Sequence, residues 1–262
     1  MPFIEIGSTD VYYCEAGRGQ PLVFLHGFSS CGEAWFQQFE HFADRYRLIA
    51  YDSVNHGHSS NSPRDEDEPD RVAELDGVLE ALGIERPVLL GNSMGGGTLL
   101  RWAARYPDRA AALIPSGCGV SPHGAGPRAD ARAPLPDDVL LLPIGDALTD
   151  TLRRERPRMY ERYLRIRSTA TSIENRRHPR RRSRESVDEA RTLHDRVSNV
   201  RSPMCVIVGS LDAAVPRAET LHKRVAHSEY HVIDGAPHNV YYEAATAYDA
   251  IVGRFLERVL AP

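Results

Sequence analysis

Gly91-Asn92-Ser93-Met94-Gly95 follows the apolar run Pro87-Val88-Leu89-Leu90 and precedes an amphipathic stretch from Gly96 to Tyr106. The apolar run reads as a buried strand and the periodic stretch as a helix, so this G-x-S-x-G marks a sharp strand-to-helix turn. Glycine permits such a turn because it carries no Cβ to collide with nearby backbone. The turn leaves Ser93 exposed at the end of the strand, the arrangement of a nucleophile elbow.

Outward from the elbow, short β-type runs occur at Phe3–Ile6, Val11–Glu15, Leu22–Leu25, Tyr46–Tyr51, Val88–Leu90, Ala111–Ile114, Met204–Val208 and Tyr230–Ile233. Several are almost wholly apolar, as strands buried on both faces are. Helical periodicity falls between them at Trp35–Phe42, Val72–Leu82, Gly96–Tyr106, Glu219–Val225 and Tyr242–Leu260, with Asp70 placed to cap the second. Alternating strands and helices predict a mostly parallel sheet covered on both faces. The alternation stops between Gly119 and Asn199. Gly and Pro crowd residues 121–136, then helical patterns follow at Leu148–Arg167 and Val187–Val197 with no strand between them. Pro157 is expected to kink or divide the first of these. The expected division is a core of residues 1–118 and 200–262 with a helical cap at 119–199.

A serine hydroxyl is a weak nucleophile at neutral pH and needs a base, which in turn needs an orienting acid. The chain offers them in the order Ser, Asp, His. Asp212 follows the Met204–Val208 strand, and His238 follows the Tyr230–Ile233 strand in Asp234-Gly235-Ala236-Pro237-His238-Asn239. Both lie just past the C-terminal ends of strands, where open α/β sheets place their sites. Acyl transfer also needs donors for a developing oxyanion, and the N–H groups of Met94, directly after the serine, and of Phe28, after His26-Gly27, are the candidates.

These four motifs, His26-Gly27-Phe28, Asp52 through Gly57-His58-Ser59, the Ser93 elbow, and the Asp212 and His238 loops, resemble the α/β-hydrolase fold over nearly the whole chain. The resemblance implies an eight-stranded, mostly parallel sheet flanked by helices, with a helical cap inserted after strand six. It implies Ser93 as nucleophile, His238 as general base and Asp212 as its orienter. The family's acid sometimes follows the sixth strand, but Ser116-Gly117-Cys118 has no carboxylate there, which leaves Asp212. Asn55 replaces the family's usual glycine before His56-Gly57, and Asn tolerates similar turn geometry. His26 and His56 are expected to make structural hydrogen bonds, and Asp52 to tie down its loop.

The reaction read from these residues is hydrolysis of a small acyl compound, most simply a carboxylic ester, through an acyl-enzyme. Asn92 beside the nucleophile is similar to the elbow of carbon–carbon hydrolases that act on ring-fission products, which makes a vinylogous diketone the alternative substrate. A hydrolase-like binding protein with little turnover is the reading from another class. Asn92, Asn239 and Tyr241 are the candidates for substrate contact, and Tyr242 for packing. Arg153, Arg154, Arg158, Tyr160 and Tyr163 either line the pocket or face water.

The 262 residues are 42% hydrophobic and 26% charged, with a net charge of −4. The mean hydropathy is −0.40. No apolar run approaches the roughly 20 residues of a membrane helix, and the N-terminus has no signal-peptide pattern. Cys14, Cys31, Cys118 and Cys205 are scattered and read as free thiols, which places the protein in the cytoplasm. No metal or nucleotide motif is present, so no cofactor and no metal ligand is expected; the expected partner is a small-molecule substrate, with neither nucleic acid nor membrane, and oligomeric state is left open. Residues 121–200 carry 17 Arg against 12 Asp and Glu, peaking at Arg176–Arg184. Without interleaved aromatics that run reads as a solvated loop, not a nucleic-acid surface.

Overall fold

Period-two alternation in the strands explains how the core is built. In a computed structural model, which describes residues 2–63, 68–121, 144–170 and 184–261, Leu22 and Phe24 pack on one face of the sheet while Val23 and Leu25 pack on the other. The same division recurs at Val88 and Leu90 against Leu89, and at Cys205 and Ile207 against Val206 and Val208. Two apolar layers result, one on each side of a single sheet, and each is roofed by helices.

The strands are β1 (Phe3–Ile6), β2 (Thr9–Ala16), β3 (Pro21–Leu25), β4 (Arg47–Tyr51), β5 (Val88–Asn92), β6 (Ala112–Ser116), β7 (Cys205–Gly209) and β8 (Glu229–Ile233). Their order across the sheet is β1-β2-β4-β3-β5-β6-β7-β8. Strand β2 pairs antiparallel with both of its neighbours, while β3 through β8 and β4 pair in parallel. This is the eight-stranded, mostly parallel sheet that the sequence implies.

The helices around it are α1 (Phe36–Phe42), α2 (Arg71–Ala81), α3 (Met94–Arg105), α4 (Asp150–Glu155), α5 (Pro157–Ala170), α6 (Arg184–Arg196), α7 (Val215–Arg224), α8 (Val240–Glu243) and α9 (Ala245–Val259). Asp70 caps α2 by accepting from Val72 N at 2.9 Å. Pro157 divides the predicted Leu148–Arg167 helix by opening α5, a first-turn position where its missing N–H costs nothing. The predicted Tyr242–Leu260 helix is likewise two, broken at Ala244 (φ −105°, ψ 37°).

Among the described residues from 119 to 199 there is helix and no strand. Most of the Gly- and Pro-rich stretch at 121–136 and of the arginine run at 176–184 lies outside the described residues. No described helix is long and apolar enough to cross a membrane.

Candidate active site

The elbow has the backbone its sequence calls for. Ser93 sits at φ 54°, ψ −110°, a conformation side chains rarely adopt, and it is fixed on both sides. Its N–H donates to Ser116 O on β6 at 2.9 Å, and its carbonyl accepts from Gly97 N in the first turn of α3 at 2.9 Å. Tight packing explains the two glycines. A Cβ on Gly91 would stand 2.6 Å from Gly95 O, and one on Gly95 would stand 2.2 Å from Leu25 O. Met94 opens α3, so its N–H is among those a helix leaves without an internal partner.

The loops after β7 and β8 bring their carboxylate and imidazole together. His238 Nδ1 lies 2.9 Å from Asp212 Oδ2, and Asp212 is buried. A carboxylate oxygen accepts, so His238 Nδ1 is the donor of this bond and Nε2 is the ring nitrogen left to face Ser93's cavity. Asp212 Oδ1 accepts from Ala214 N at 2.8 Å, which locks the acid's orientation. The His238 backbone is held in turn by its N–H donating to Asp146 O at 3.2 Å. Ser93 and His238 both line one cavity of about 300 Å³, together with Phe28, Asn239, Tyr163 and Arg167. Among the hydrogen bonds of the described residues, none joins His238 to Ser93 Oγ.

The other candidates divide. Asn239 lines the cavity, whereas Asn92 and Tyr241 do not. Asn92 is fully buried and its Nδ2 donates to Asn239 Oδ1 at 2.9 Å. Asn239 Nδ2 donates to the Tyr163 hydroxyl, so a chain of side chains runs from the elbow to α5. Tyr241 is buried with its ring stacked on Trp35, centroids 3.9 Å apart. Tyr242 packs against Tyr163 and donates its hydroxyl to Met159 O at 2.9 Å. Arg153, Arg154 and Arg158 are exposed. Arg167, which periodicity alone did not single out, is the arginine that lines the cavity.

Behind the cavity, buried polar groups brace the loops. Asp52 Oδ1 accepts from Gly32 N at 2.7 Å and Oδ2 from His58 N at 2.9 Å, tying the loop as the sequence predicts. Ser53 N donates to His26 Nε2 at 3.0 Å, which places the His26 proton on Nδ1, where it donates to Gly27 O at 2.8 Å. Burial holds the His26 pKa below its usual 6.5. His56 Nδ1 donates to Val54 O at 3.2 Å. The ion pair Arg71–Glu74, 2.8 Å apart and buried, also grips this loop, with Glu74 Oε2 accepting from Val54 N at 3.1 Å. Burial raises the Glu74 carboxyl even with Arg71 beside it.

One group of potential metal ligands exists among the described residues: Cys205, Glu229 and His231, whose ligand atoms lie within 4.8 Å of one another. It occupies the ends of β7 and β8 opposite the Asp212 and His238 loops. Arg258 pairs with Glu229, and burial pushes the Cys205 thiol up to about 12. Both features oppose capture of a cation there.

A profile of the alpha/beta hydrolase fold matches residues 20–245. The chain belongs to the α/β hydrolase family. Among curated relatives, it is 39% identical over 99 residues to a putative non-heme haloperoxidase of Mycobacterium phage D29, covering 37% of this chain and 36% of that protein. It is 36% identical over 132 residues to a 2-hydroxy-6-oxo-6-phenylhexa-2,4-dienoate hydrolase of Comamonas testosteroni, covering 45% and 46%. These matches therefore span less than half the length of either relative. Among solved structures, the enol-lactonase of Burkholderia xenovorans LB400 is similar over 97% of this chain and 99% of its own, with a TM-score of 0.77 at 21% identity. That likeness is one of fold.

Proposed function

We propose that this α/β hydrolase is a serine hydrolase that cleaves a small carboxylic ester through Ser93, His238 and Asp212. One observation carries the reading: the 2.9 Å Asp212–His238 hydrogen bond orients an imidazole that shares a cavity with a serine on a strained elbow. In this reading His238 Nε2 takes the Ser93 proton as Oγ attacks the acyl carbon. Asp212 holds the imidazole and stabilises its positive charge. The N–H groups of Met94 and Phe28 bind the oxyanion. The leaving alcohol departs with the proton, and water then releases the acyl group by the same path. Helices α4 and α5 act as a cap, a reading supported by the cavity-lining side chains of α5, while α6 packs against α3 in the core. A cavity of about 300 Å³ suits a small molecule.

Carbon–carbon hydrolysis of a vinylogous diketone is the second reading, favoured by the Comamonas relative. The ester reading takes precedence because Asn92, the elbow residue that suggests a diketone, spends its amide on Asn239 outside the cavity wall. A fluorophosphonate probe tests the catalytic claim. Rapid labelling of Ser93, lost in Ser93→Ala, is the expected result; folded protein that resists labelling refutes it. Turnover of aryl esters against a dienoate diketone then separates the two substrates.

A further inference from the structure

Asn92 ends β5 immediately before Ser93, and Asn239 immediately follows His238. Their side chains meet although they stand 147 positions apart in sequence, Asn92 Nδ2 donating to Asn239 Oδ1 at 2.9 Å. Asn92 is fully buried and Asn239 nearly so, and a hydrogen bond away from water is electrostatically stronger than an exposed one. The Asn239 amide is held at its other end too, where Nδ2 donates to the Tyr163 hydroxyl, which Arg167 also bonds. With both ends engaged, the amide cannot turn without breaking a bond.

The packing around Asn92 is equally constrained. A Cβ on Gly117 would stand 2.9 Å from Asn92 Oδ1, 3.0 Å from His238 O and 3.2 Å from Asp212 Oδ2. The Asn92 amide, the carbonyl of the base and the carboxylate of the acid therefore converge on one point, where glycine leaves them room. Asn92 Oδ1 itself has no hydrogen-bond partner. An unpaired buried acceptor is costly, and an apolar side chain would fill the same space without that cost. What the amide adds at this position is its bond to the loop that carries His238.

We infer that Asn92 and Asn239 are positioning residues: their bond fixes the His238 loop against the end of the Ser93 strand and so sets the approach of His238 Nε2 to Ser93 Oγ. This rests on the catalytic reading of Ser93 and His238. The backbone of the same loop is tied to the Gly145–Ala147 turn, His238 N donating to Asp146 O at 3.2 Å and Asn239 N to Ala147 O at 3.1 Å. Those bonds hold the loop to the turn, whereas the asparagine pair registers it against β5. Register matters because a misplacement of about 1 Å between reacting groups costs on the order of 100-fold in rate.

The rate of fluorophosphonate labelling reads the activation of Ser93 apart from substrate recognition. Asn92→Ala, folded by circular dichroism, is expected to label roughly 10- to 100-fold more slowly than the parent. Its kcat on p-nitrophenyl acetate should fall by a similar factor with KM nearly unchanged. Asn239→Ala should match it, and the double variant should be no slower than the slower single, because one shared bond is lost only once. Unchanged labelling of folded Asn92→Ala overturns the inference. So does a loss confined to KM, the mark of a substrate contact, or a double variant in which the two losses multiply. Should Asn92→Ala fail to fold, Asn239→Ser carries the test from the cavity side, where truncation opens onto the cavity. The same drop in labelling is expected there, and an unchanged rate overturns the inference. A parent that labels rapidly and variants that match it sink the positioning role alone. A folded parent that resists labelling sinks the catalytic reading beneath it.

Discussion

The strand-end loops and the helical segment above them are built on different principles. The loops are braced by buried, multiply bonded polar groups: Asp52 takes N–H bonds from Gly32 and His58, and Glu74 takes them from Val54 and Arg71. The segment from Ile144 to Ala170 instead rests on buried apolar side chains such as Leu148, Leu152 and Ile166, with tethers to the loops below it. Thr149 N donates to Glu243 Oε2 at 2.8 Å, Tyr242 reaches Met159 O, and Gly57 N donates to Ala170 O at 2.6 Å. Leu164 on the same helix stays 38% exposed. The candidate catalytic groups thus stand on polar bracing, and the α5 wall of the cavity on apolar packing and tethers.

Removing the proposed nucleophile should abolish the proposed hydrolysis while leaving both regions standing. Ser93→Ala is expected to lose on the order of 10⁴–10⁶ in rate with an unchanged circular dichroism spectrum. Glu74→Ala should do the reverse and strike the braced region. It leaves buried Arg71 with only Glu68, 3.6 Å away, as an ionic partner, at a cost of up to about 3–5 kcal/mol in urea unfolding. A loss below 1 kcal/mol would show that the loops are not braced through this pair.

Asp249 gives the comparison a pH axis. Burial lifts its carboxyl from 3.8 to about 6, with Gln38 donating to Oδ1 at 2.9 Å in opposition. Asp249 binds its proton more tightly in the folded state, so its contribution to stability is fully present below pH 3.8. It is lost as pH rises through about 6. At ~1.4 kcal/mol per pH unit the loss is about 3 kcal/mol. Asp249→Asn should therefore be more stable than the parent above pH 6, with the gain fading in acid. His26 has the opposite sign. Its folded pKa lies below 6.5, so its contribution is present above pH 6.5 and falls away as acid protonates Nε2 and breaks the Ser53 bond. The Asp249→Asn variant should expose that acid-side decline.

The smallest effect belongs to the helical segment. Glu243→Gln weakens the tether to Thr149 and should cost ~1 kcal/mol. The cost should register as faster hydrogen exchange over α4, with the urea midpoint nearly unmoved. A matching drop in global stability would make the two regions one cooperative unit.

Much of this was legible from residue order. All eight strands fall where their β-type runs lie, and β3 through β7 are largely apolar because a strand buried on both faces must be. The elbow was legible because strain and close packing demand glycine at fixed spacing. What stayed hidden depends on convergence between distant segments. Arg71 and Glu74 look like solvated first-turn charges until α2 docks beneath the β4 loop. Asn92 and Tyr241 adjoin catalytic positions in sequence, yet one turns to Asn239 and the other to Trp35. Arg167 is one arginine among many, and only the placement of α5 over the cavity distinguishes it.

The Trp35–Tyr241 stack also has a use in the laboratory. The protein holds two tryptophans, and they sit in different neighbourhoods. Trp102 lies on α3, its Nε1 donating to Asp76 at 3.3 Å, while Trp35 abuts the segment that immediately follows His238 and Asn239. Replacing Trp102 with phenylalanine leaves a single indole emitter beside the base-bearing loop. Its emission wavelength and quenching then become an intrinsic optical gauge of whether that loop is closed, loosened or occupied, read without any added dye.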